Sequence, residues 1–369
     1  MASNQTIEFI GKTFNIALMK ITNLKLHNFR NIEQASLTLK GQAIVVLYGE
    51  NGAGKTSVLE ALSLLTPGRG LHRLKMDSHT QHGFKEWVIH AQLENDQPQQ
   101  IGMHFKGSKR HIKLNGEKNK TQGDLSTLGN ILWFTPKMDR LFMDSASARR
   151  EFLDRLVFGQ QPQHAGNLNR LKHHLKNRLK LLKDHAPTDW IDIEEEQAAQ
   201  YAVKVAQART DYLTNLHQHL TAVHLELEGS FEKRDDKSPQ ALQQKWADTR
   251  QRDLKAGATL HGPQRSNLTG QLTELDIPLA QCSTGQHKKA ILEILIANAR
   301  LTAATTHNPP IILLDEVAGH LDQKTKNYFL TEVTNLGCQV WLTGTEKETF
   351  ANLTDVQFFH VQQGQVQAG

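Results

Sequence analysis

Cysteine is nearly absent from this chain: Cys282 and Cys338 are the only two in 369 residues. Two thiols in unrelated contexts exclude a disulfide framework and a cysteine-based metal centre, and both suit core or near-core positions. Long apolar runs are missing as well. The longest, 43–48 and 311–314, are strand-sized and far below the roughly 20 residues a spanning helix needs. Residues 1–18 lack a basic start, an apolar core and a small-residue cleavage site, so no secretory signal is read there and a cytoplasmic protein is expected. There are no internal repeats, no low-complexity segments and no motif for reading base edges. Strong charge of one sign is lacking too. A net charge of +5 with pI ≈ 9.0, before 19 histidines are counted, permits a polyanionic partner without requiring one.

What is present describes a globular protein with much exposed helix: 38% hydrophobic, 22% charged, mean hydropathy −0.50. The length suggests two or three domains. Residues 21–29 and 35–39 read as strands about a turn, and the apolar run 43–48 feeds a Gly-rich loop followed by a helix over 57–65. Segments 86–93, 101–105 and 111–114 look like short strands, and Asn115-Gly116 is a strong hairpin-turn pair. They form a small antiparallel β lobe. The middle is helical. Leu168, Leu171, Leu175, Leu179 and Leu182 recur at three- and four-residue spacing. Beyond Pro187 a second stripe runs through Tyr201, Val205, Ala208, Tyr212, Leu216, Leu220, Val223 and Leu227. Two such stripes joined by a Pro-containing loop make an antiparallel helical pair or a small bundle. A helix over 241–256, capped by Gly257, returns toward the head. The division expected is an extension over 1–18, a head over 19–150, a helical arm over 151–256 and the rest of the head over 257–369.

Two distant fragments carry the chemistry. Gly49-Glu50-Asn51-Gly52-Ala53-Gly54-Lys55-Thr56 fits GxxxxGK[ST], a loop whose N–H groups cradle phosphates while the Lys meets the β- and γ-phosphates and the Thr hydroxyl meets Mg²⁺. Ile311–Leu314 is a fully apolar strand ending in Asp315 and Glu316, suited to a metal-organising Asp and a water-activating Glu. One nucleotide must see both, so the residues between fold away and return. A third fragment, Cys282-Ser283-Thr284-Gly285-Gln286, precedes a helix. A Ser and a Gly there form an anion site from free N–H groups and the dipole, or else Ser283 is simply a helix cap.

With both phosphate elements present, Ser283, Gly285 and Gln286 resemble the S-x-G-Q signature of ABC-type ATPases, which completes the nucleotide site of the opposite protomer. The fold implied is α/β: an ABC-type P-loop ATPase head with an antiparallel β lobe and an inserted α-helical arm. Gly319-His320-Leu321-Asp322 resembles the D-loop, where Asp322 would couple the two sites. Two departures stand out. Thr343-Gly344-Thr345 occupies the place of a switch histidine, and 133–139 has no Gln for a Q-loop, leaving Asp139 as its stand-in.

Beyond the generic motifs, the chain resembles the RecF family of bacterial recombination and gap-repair ATPases from Met19 onward. The likeness rests on 26–31, in which Arg30 and Asn31 would approach the nucleotide, on 67–71, on Ser147-Ala148-Arg149-Arg150-Glu151-Phe152-Leu153-Asp154 and on 261–268, with Asn267 where Asp is common. The resemblance implies ATP-dependent homodimerisation on DNA, preference for gapped or junction DNA and slow DNA-stimulated hydrolysis. It also implies help in recombinase loading through RecR and RecO. In the roles so assigned, Gly49 to Thr56 and Ser57 hold ATP, Lys55 neutralises charge, Thr56 and Asp315 hold Mg²⁺, and Glu316 activates water. A nucleotide-gated DNA scaffold with incidental hydrolysis and an ABC transporter ATPase subunit are the rivals. The interval from Thr56 to Ser283 is too short for long SMC coiled coils and too long for a transporter subunit.

Localised charge adds one expectation about DNA. The run 165–183 holds Arg170, Lys172, Lys176, Arg178, Lys180 and Lys183 and no acid, and 106–120 holds six basic residues against Glu117. Lys172, Lys176, Arg178 and Lys180 are expected to project from the arm toward phosphates, or else to form a solvated face.

Overall fold

The computed structural model describes residues 6–9, 12–15, 19–94, 98–125, 128–306, 308–316 and 322–369, with side chains from Met19 onward. The chain divides into two compact units, Met1–Asp139 with Ile291–Gly369, and Arg140–Ala290.

The first unit opens with a hairpin of β1 (Thr6–Phe9) and β2 (Lys12–Asn15), followed by β3 (Lys20–Phe29) and β4 (Ile32–Thr38). β5 (Ile44–Tyr48) leads into α1 (Lys55–Ser63). Next come β6 (Glu86–Glu94), β7 (Gln99–Lys106), β8 (Lys109–Leu114), β9 (Glu117–Lys120), the short α2 (Gln122–Leu125) and β10 (Ile131–Phe134). Asn115 and Gly116 make the two-residue turn between β8 and β9 with φ of 51° and 85°, the left-handed pair that a type I′ turn demands. β3, β4 and β6 to β9 form one antiparallel sheet in the order β4-β3-β6-β7-β8-β9. Its strands alternate buried and exposed residues, as a sheet with one wet face should.

The second unit holds α3 (Ala146–Phe158), α4 (Gln163–Lys183), α5 (Thr188–His217), β11 (Val223–Glu228), α6 (Pro239–Ala256), β12 (Asn267–Leu272) and β13 (Ile277–Pro278). It ends within α7 (Thr284–Thr305). Leu168 and Leu171 of α4 pack in one cluster with Ala198, Ala202 and Val205 of α5 and with Leu242 and Trp246 of α6. Gly257 caps α6 at φ 64°.

Two expectations fail here. The second apolar stripe does not remain helical to Leu227: α5 stops at His217, and β11 pairs antiparallel with β12. Val223-His224-Leu225-Glu226-Leu227-Glu228 alternates with period two, and Val223 and Leu225 are buried between exposed neighbours, so the strand period prevails. Arg178 does not project outward. It is fully buried, its Nε donating to Glu195 Oε1 at 2.8 Å and its Nη1 to Asp253 Oδ2 at 2.9 Å. The three-stranded sheet of β11, β12 and β13 also lies in this unit, so the division falls at 139/140 and 290/291 rather than 150/151 and 256/257.

Two segments that carried the family resemblance meet in this unit. Arg149 donates through Nε and Nη2 to Asn267 Oδ1 at 2.9 and 2.7 Å, and Arg150 Nη1 donates to Ser266 O at 2.8 Å. Arg209 grips Asp154 at 2.8 and 2.9 Å while donating to Pro263 O at 2.7 Å. These contacts tie α3 and α5 to residues 263–267 at the start of β12.

The remainder of the first unit is β14 (Ile311–Leu314), α8 (Gln323–Asn335), β15 (Val340–Gly344), β16 (Val356–Gln362) and β17 (Gln365–Ala368). With β5 and β10 they form a sheet in the order β10-β14-β15-β5-β16-β17, parallel except for β17. Strands covered on both faces read as continuous apolar runs, which is how Ile131–Phe134, Ile311–Leu314 and Ile44–Tyr48 read. One core joins this sheet, α1 and the antiparallel sheet through Val58, Leu59, Leu62, Trp87, Phe105, Leu313 and Trp341. Removing one such leucine side chain costs about 2–5 kcal/mol, so α1 is held rigidly where the Gly-rich loop ends.

Candidate functional site

β5 and β14 are both central strands, and β15 lies between them. Their C-terminal ends therefore bring residues 49–56 and 315–316 together, as one nucleotide site requires.

The loop is shaped by close approaches. A Cβ on Gly49, at φ 148°, would lie 2.1 Å from Val361 O, and one on Gly54, at φ 121°, would meet the Asn31 amide at 3.2 Å. Neither position tolerates a side chain. Gly54 caps α1 without a side-chain hydrogen bond, so the first-turn N–H groups and the positive dipole end face the loop's interior. Lys55 folds back and donates to Gly49 O at 2.7 Å and Glu50 O at 2.8 Å. Burial lowers its pKa, partly offset by the fields of Glu316 and Asp315. Asn31 acts on the loop: it donates to Gly52 O at 3.1 Å and accepts from the buried Ser57 hydroxyl at 2.7 Å. Arg30 takes a left-handed φ of 54° and lies 4.0 Å from the buried carboxylate of Glu60. Ala53 is buried, whereas Glu50, Asn51 and Gly52 are exposed along the loop.

Asp315 closes the site from the other strand. Its Oδ1 accepts from Thr56 Oγ1 and from Thr343 Oγ1, both at 3.0 Å. Thr343 in turn accepts from Glu316 N at 2.7 Å. Burial raises the Asp315 pKa, with the Glu316 carboxylate adding to the rise while the two hydroxyls oppose it. Glu316 is exposed at φ 55° and lines a cleft of about 280 Å³ with Asn51, Thr343, Thr345 and Phe350. Thr343 stands where the sequence places it, in the position of a switch histidine, but its bonds to Asp315 and Glu316 were not foreseen. They follow from the sheet order, in which its strand is inserted between β14 and β5.

Ser283, Gly285 and Gln286 sit at the start of α7. Ser283 N donates to Gln286 Oε1 at 2.9 Å and Gln286 N donates to Ser283 Oγ at 3.4 Å, a reciprocal capping box. Ser283 and Gly285 are exposed, and a Cβ on Gly285 would meet nothing within 4 Å, so this turn presents its backbone openly. Of the D-loop resemblance, Gly319, His320 and Leu321 lie outside the described residues. Asp322 caps α8 by accepting from Thr325 N at 2.9 Å. Asp139 falls in the 3-10 turn Pro136–Arg140. Both cysteines are buried, and burial raises their pKa values.

A parallel sheet that delivers a phosphate loop from one strand and an Asp-Glu pair from another, with an antiparallel lobe beside it, defines a P-loop ATPase head of the ABC type. A family model described as an AAA domain matches residues 23–273. DNA replication and repair protein RecF of Rhizobium etli is 36% identical over 94% of this chain and 98% of its own length, and that of Brucella suis is 37% identical over 94% and 96%. The chain belongs to the RecF family of DNA replication and repair proteins. Its fold matches that of the recombination mediator protein RecF with ATP in the RecFOR pathway, at a TM-score of 0.83 and 24% identity over 96% of this chain and 98% of that one. It matches the Smc head domain of Pyrococcus furiosus more loosely, at a TM-score of 0.52 and 13% identity over 95% and 96%. No helix among the described residues is long and apolar enough to cross a membrane.

Proposed function

We propose that this protein is an ATP-dependent DNA-binding ATPase of recombinational gap repair and replication restart. ATP drives two copies together on gapped or junction DNA, and slow, DNA-stimulated hydrolysis releases them. Recombinase loading then proceeds with RecO and RecR, partners suggested by the relative described as a mediator of the RecFOR pathway. Family membership favours this over a transporter subunit.

The observation that carries the reading is the contact between Thr56 Oγ1 and Asp315 Oδ1 at 3.0 Å, made across two strands beneath the phosphate loop. A hydroxyl and a carboxylate oxygen converging there suit Mg²⁺, which takes one or two protein oxygens and fills the remaining positions with phosphate and water. Thr56 and Asp315 would hold it, and when bound it neutralises charge on the β- and γ-phosphate oxygens. Lys55 would exchange its carbonyl partners for phosphate, and the N–H groups of Gly52, Gly54, Lys55 and Thr56 would cradle the β-phosphate. Glu316 would orient and deprotonate the attacking water, its backbone fixed by Thr343. A pure clamp without turnover has no need of that second carboxylate. Ser283 and Gly285 would reach the γ-phosphate of the partner copy, which makes closure depend on ATP. On DNA, the exposed Lys172, Lys176, Lys180 and Lys183 share one face of α4 and suit phosphates rather than bases, with affinity that falls steeply with salt.

Light scattering of wild type and Ser283→Arg, with and without Mg-ATP, tests the reading. The wild type should dimerise with ATP. The variant should stay monomeric while its ATP affinity changes by less than about threefold, since losing one cap is worth only about 1 kcal/mol. A wild type that remains monomeric, or a variant that loses ATP affinity in parallel with dimerisation, overturns it.

A further inference from the structure

The wet face of the antiparallel sheet carries a charge pattern that the nucleotide site does not use. Across β3, β6, β7 and β8 the register aligns His27, Val88, His104 and His111 in one rung and Lys25, His90, Gly102 and Lys113 in the next. A third rung aligns Glu86, Lys106 and Lys109. The intervening residues, among them Leu26, Ile89, Met103 and Ile112, are buried, so the ladder residues stand on the outer side. Lys25, Lys106, Lys109 and Lys113 are opposed on these rungs by one carboxylate, Glu86. That carboxylate is already bridged by Lys106 and by His104, each at 3.2 Å. Lys25, Lys109 and Lys113 form no ion pair among the described residues. Val88 puts a short side chain, and Gly102 none, between the cationic columns. On the β4 side, Gln34 and Ser36 oppose His27 and Lys25, and both are uncharged.

We propose that this face is a phosphate-binding surface for duplex DNA whose charge is set by four histidines, so that binding takes up protons and tightens as pH falls. It rests on the reading that this protein binds DNA, and adds where and under what control. The outward rungs hold no Phe, Tyr or Trp on which a base could stack, so the contact is to backbone phosphate and independent of sequence. Imidazoles ordinarily change charge near pH 6.5. His90 is held below that range by burial and by the Lys25 ammonium, and a phosphate beside it reverses the second effect. His27 faces Gln34 and Val88, His104 faces Glu86 and the ring of His111 at 6.3 Å, and His111 is flanked along its strand by Lys109 and Lys113. Phosphate favours the charged ring in every case. The histidines' share of the affinity is therefore largest below histidine's ordinary pKa and is lost as pH rises through it, while the lysines' share remains.

Fluorescence anisotropy of a short duplex with the full chain, at constant ionic strength and at pH about 6 and about 8, tests this. The wild type should bind roughly tenfold more tightly at the lower pH. A variant with His27→Gln, His90→Gln, His104→Gln and His111→Gln should match wild type at the higher pH and lose the gain. Lys25→Gln with Lys113→Gln should weaken binding several-fold at both, on the order of two phosphate contacts. A histidine variant with the full pH response, or a lysine variant that binds as wild type does, overturns the proposal. A wild type that binds no duplex at either pH sinks the DNA reading as well, whereas intact binding insensitive to both variants sinks this surface alone.

Discussion

The buried carboxylates of the helical unit and Asp315 of the phosphate-loop unit are treated in opposite ways, whereas Glu60 of the latter unit lies beside Arg30 and His72. In the helical unit, Glu195 and Asp253 meet Arg178, and Glu195 also meets Arg250 at 2.5 Å. Asp154 is likewise gripped by Arg209. Burial pushes the Asp154 pKa up, but Arg209 and His164 outweigh it and hold the group well below the usual carboxylate range. Asp315, in the phosphate-loop unit, is equally buried, yet its hydrogen-bond partners are the two hydroxyls of Thr56 and Thr343, and its pKa is raised. A carboxylate matched to a guanidinium is finished by the fold. One left with hydroxyls alone retains an unmet demand for positive charge, and that demand marks a ligand site.

The contrast predicts stability effects of opposite sign. Arg178→Met removes the cation from two buried carboxylates, and breaking such a cluster destabilises by about 3–5 kcal/mol. Its thermal unfolding midpoint should fall by several degrees, and an unchanged midpoint would mean that the network is dispensable. Thr343→Val leaves Glu316 N–H without its acceptor and Asp315 without one donor, a loss of about 1–3 kcal/mol. ATP turnover should drop as Glu316 loses its orientation; full turnover in that variant would separate Thr343 from the site. Asp315→Asn should instead stabilise the nucleotide-free protein, by roughly 0.5–2 kcal/mol. A raised folded pKa means that the folded state holds the proton more tightly, so the group opposes folding increasingly as pH rises above the ordinary 3.8. Its penalty therefore grows through the window between 3.8 and the raised value and is complete only above the latter. Added Mg-ATP should stabilise the wild type and not this variant, and a midpoint for Asp315→Asn below that of wild type without nucleotide would contradict the account.

The strand, loop and helix of the proposed nucleotide site were legible because their local chemistry is self-contained: an apolar strand, glycines where Cβ atoms cannot fit, then Lys55 and Thr56. The lobe was legible through alternation and through Asn115-Gly116, whose turn type follows from residue identity. Thr343 was legible as standing in the place of a switch histidine, but its bonds to Asp315 and Glu316 come from sheet order, which pairs β15 with both β14 and β5 and which no spacing along the chain encodes. Arg178 departs from expectation for a different reason. A run of basic residues over 165–183 carries no helical phase, and Arg178 follows Leu171 by seven positions and precedes Leu182 by four, on the buried face. The strand β11 was absorbed into a helical stripe because Val223 and Leu227 satisfy both periods, while Leu225 satisfies only the strand.

The smallest stability effect should come from the same helix that carries Arg178. Lys176 and Lys180 are exposed and have no ion pair among the described residues, so Lys176→Glu with Lys180→Glu should shift stability by no more than about 0.5 kcal/mol. Its effect belongs on DNA instead. Reversing two charges on a phosphate-tracking face should weaken duplex binding severalfold at low salt and flatten the dependence of affinity on salt concentration, each lost contact lowering that slope by about 0.9. ATP binding should not change. Unaltered DNA affinity in filter binding at low salt would show that the exposed lysines of α4 are only a solvated face, and that internal neutralisation at Arg178 is the whole contribution of this basic run.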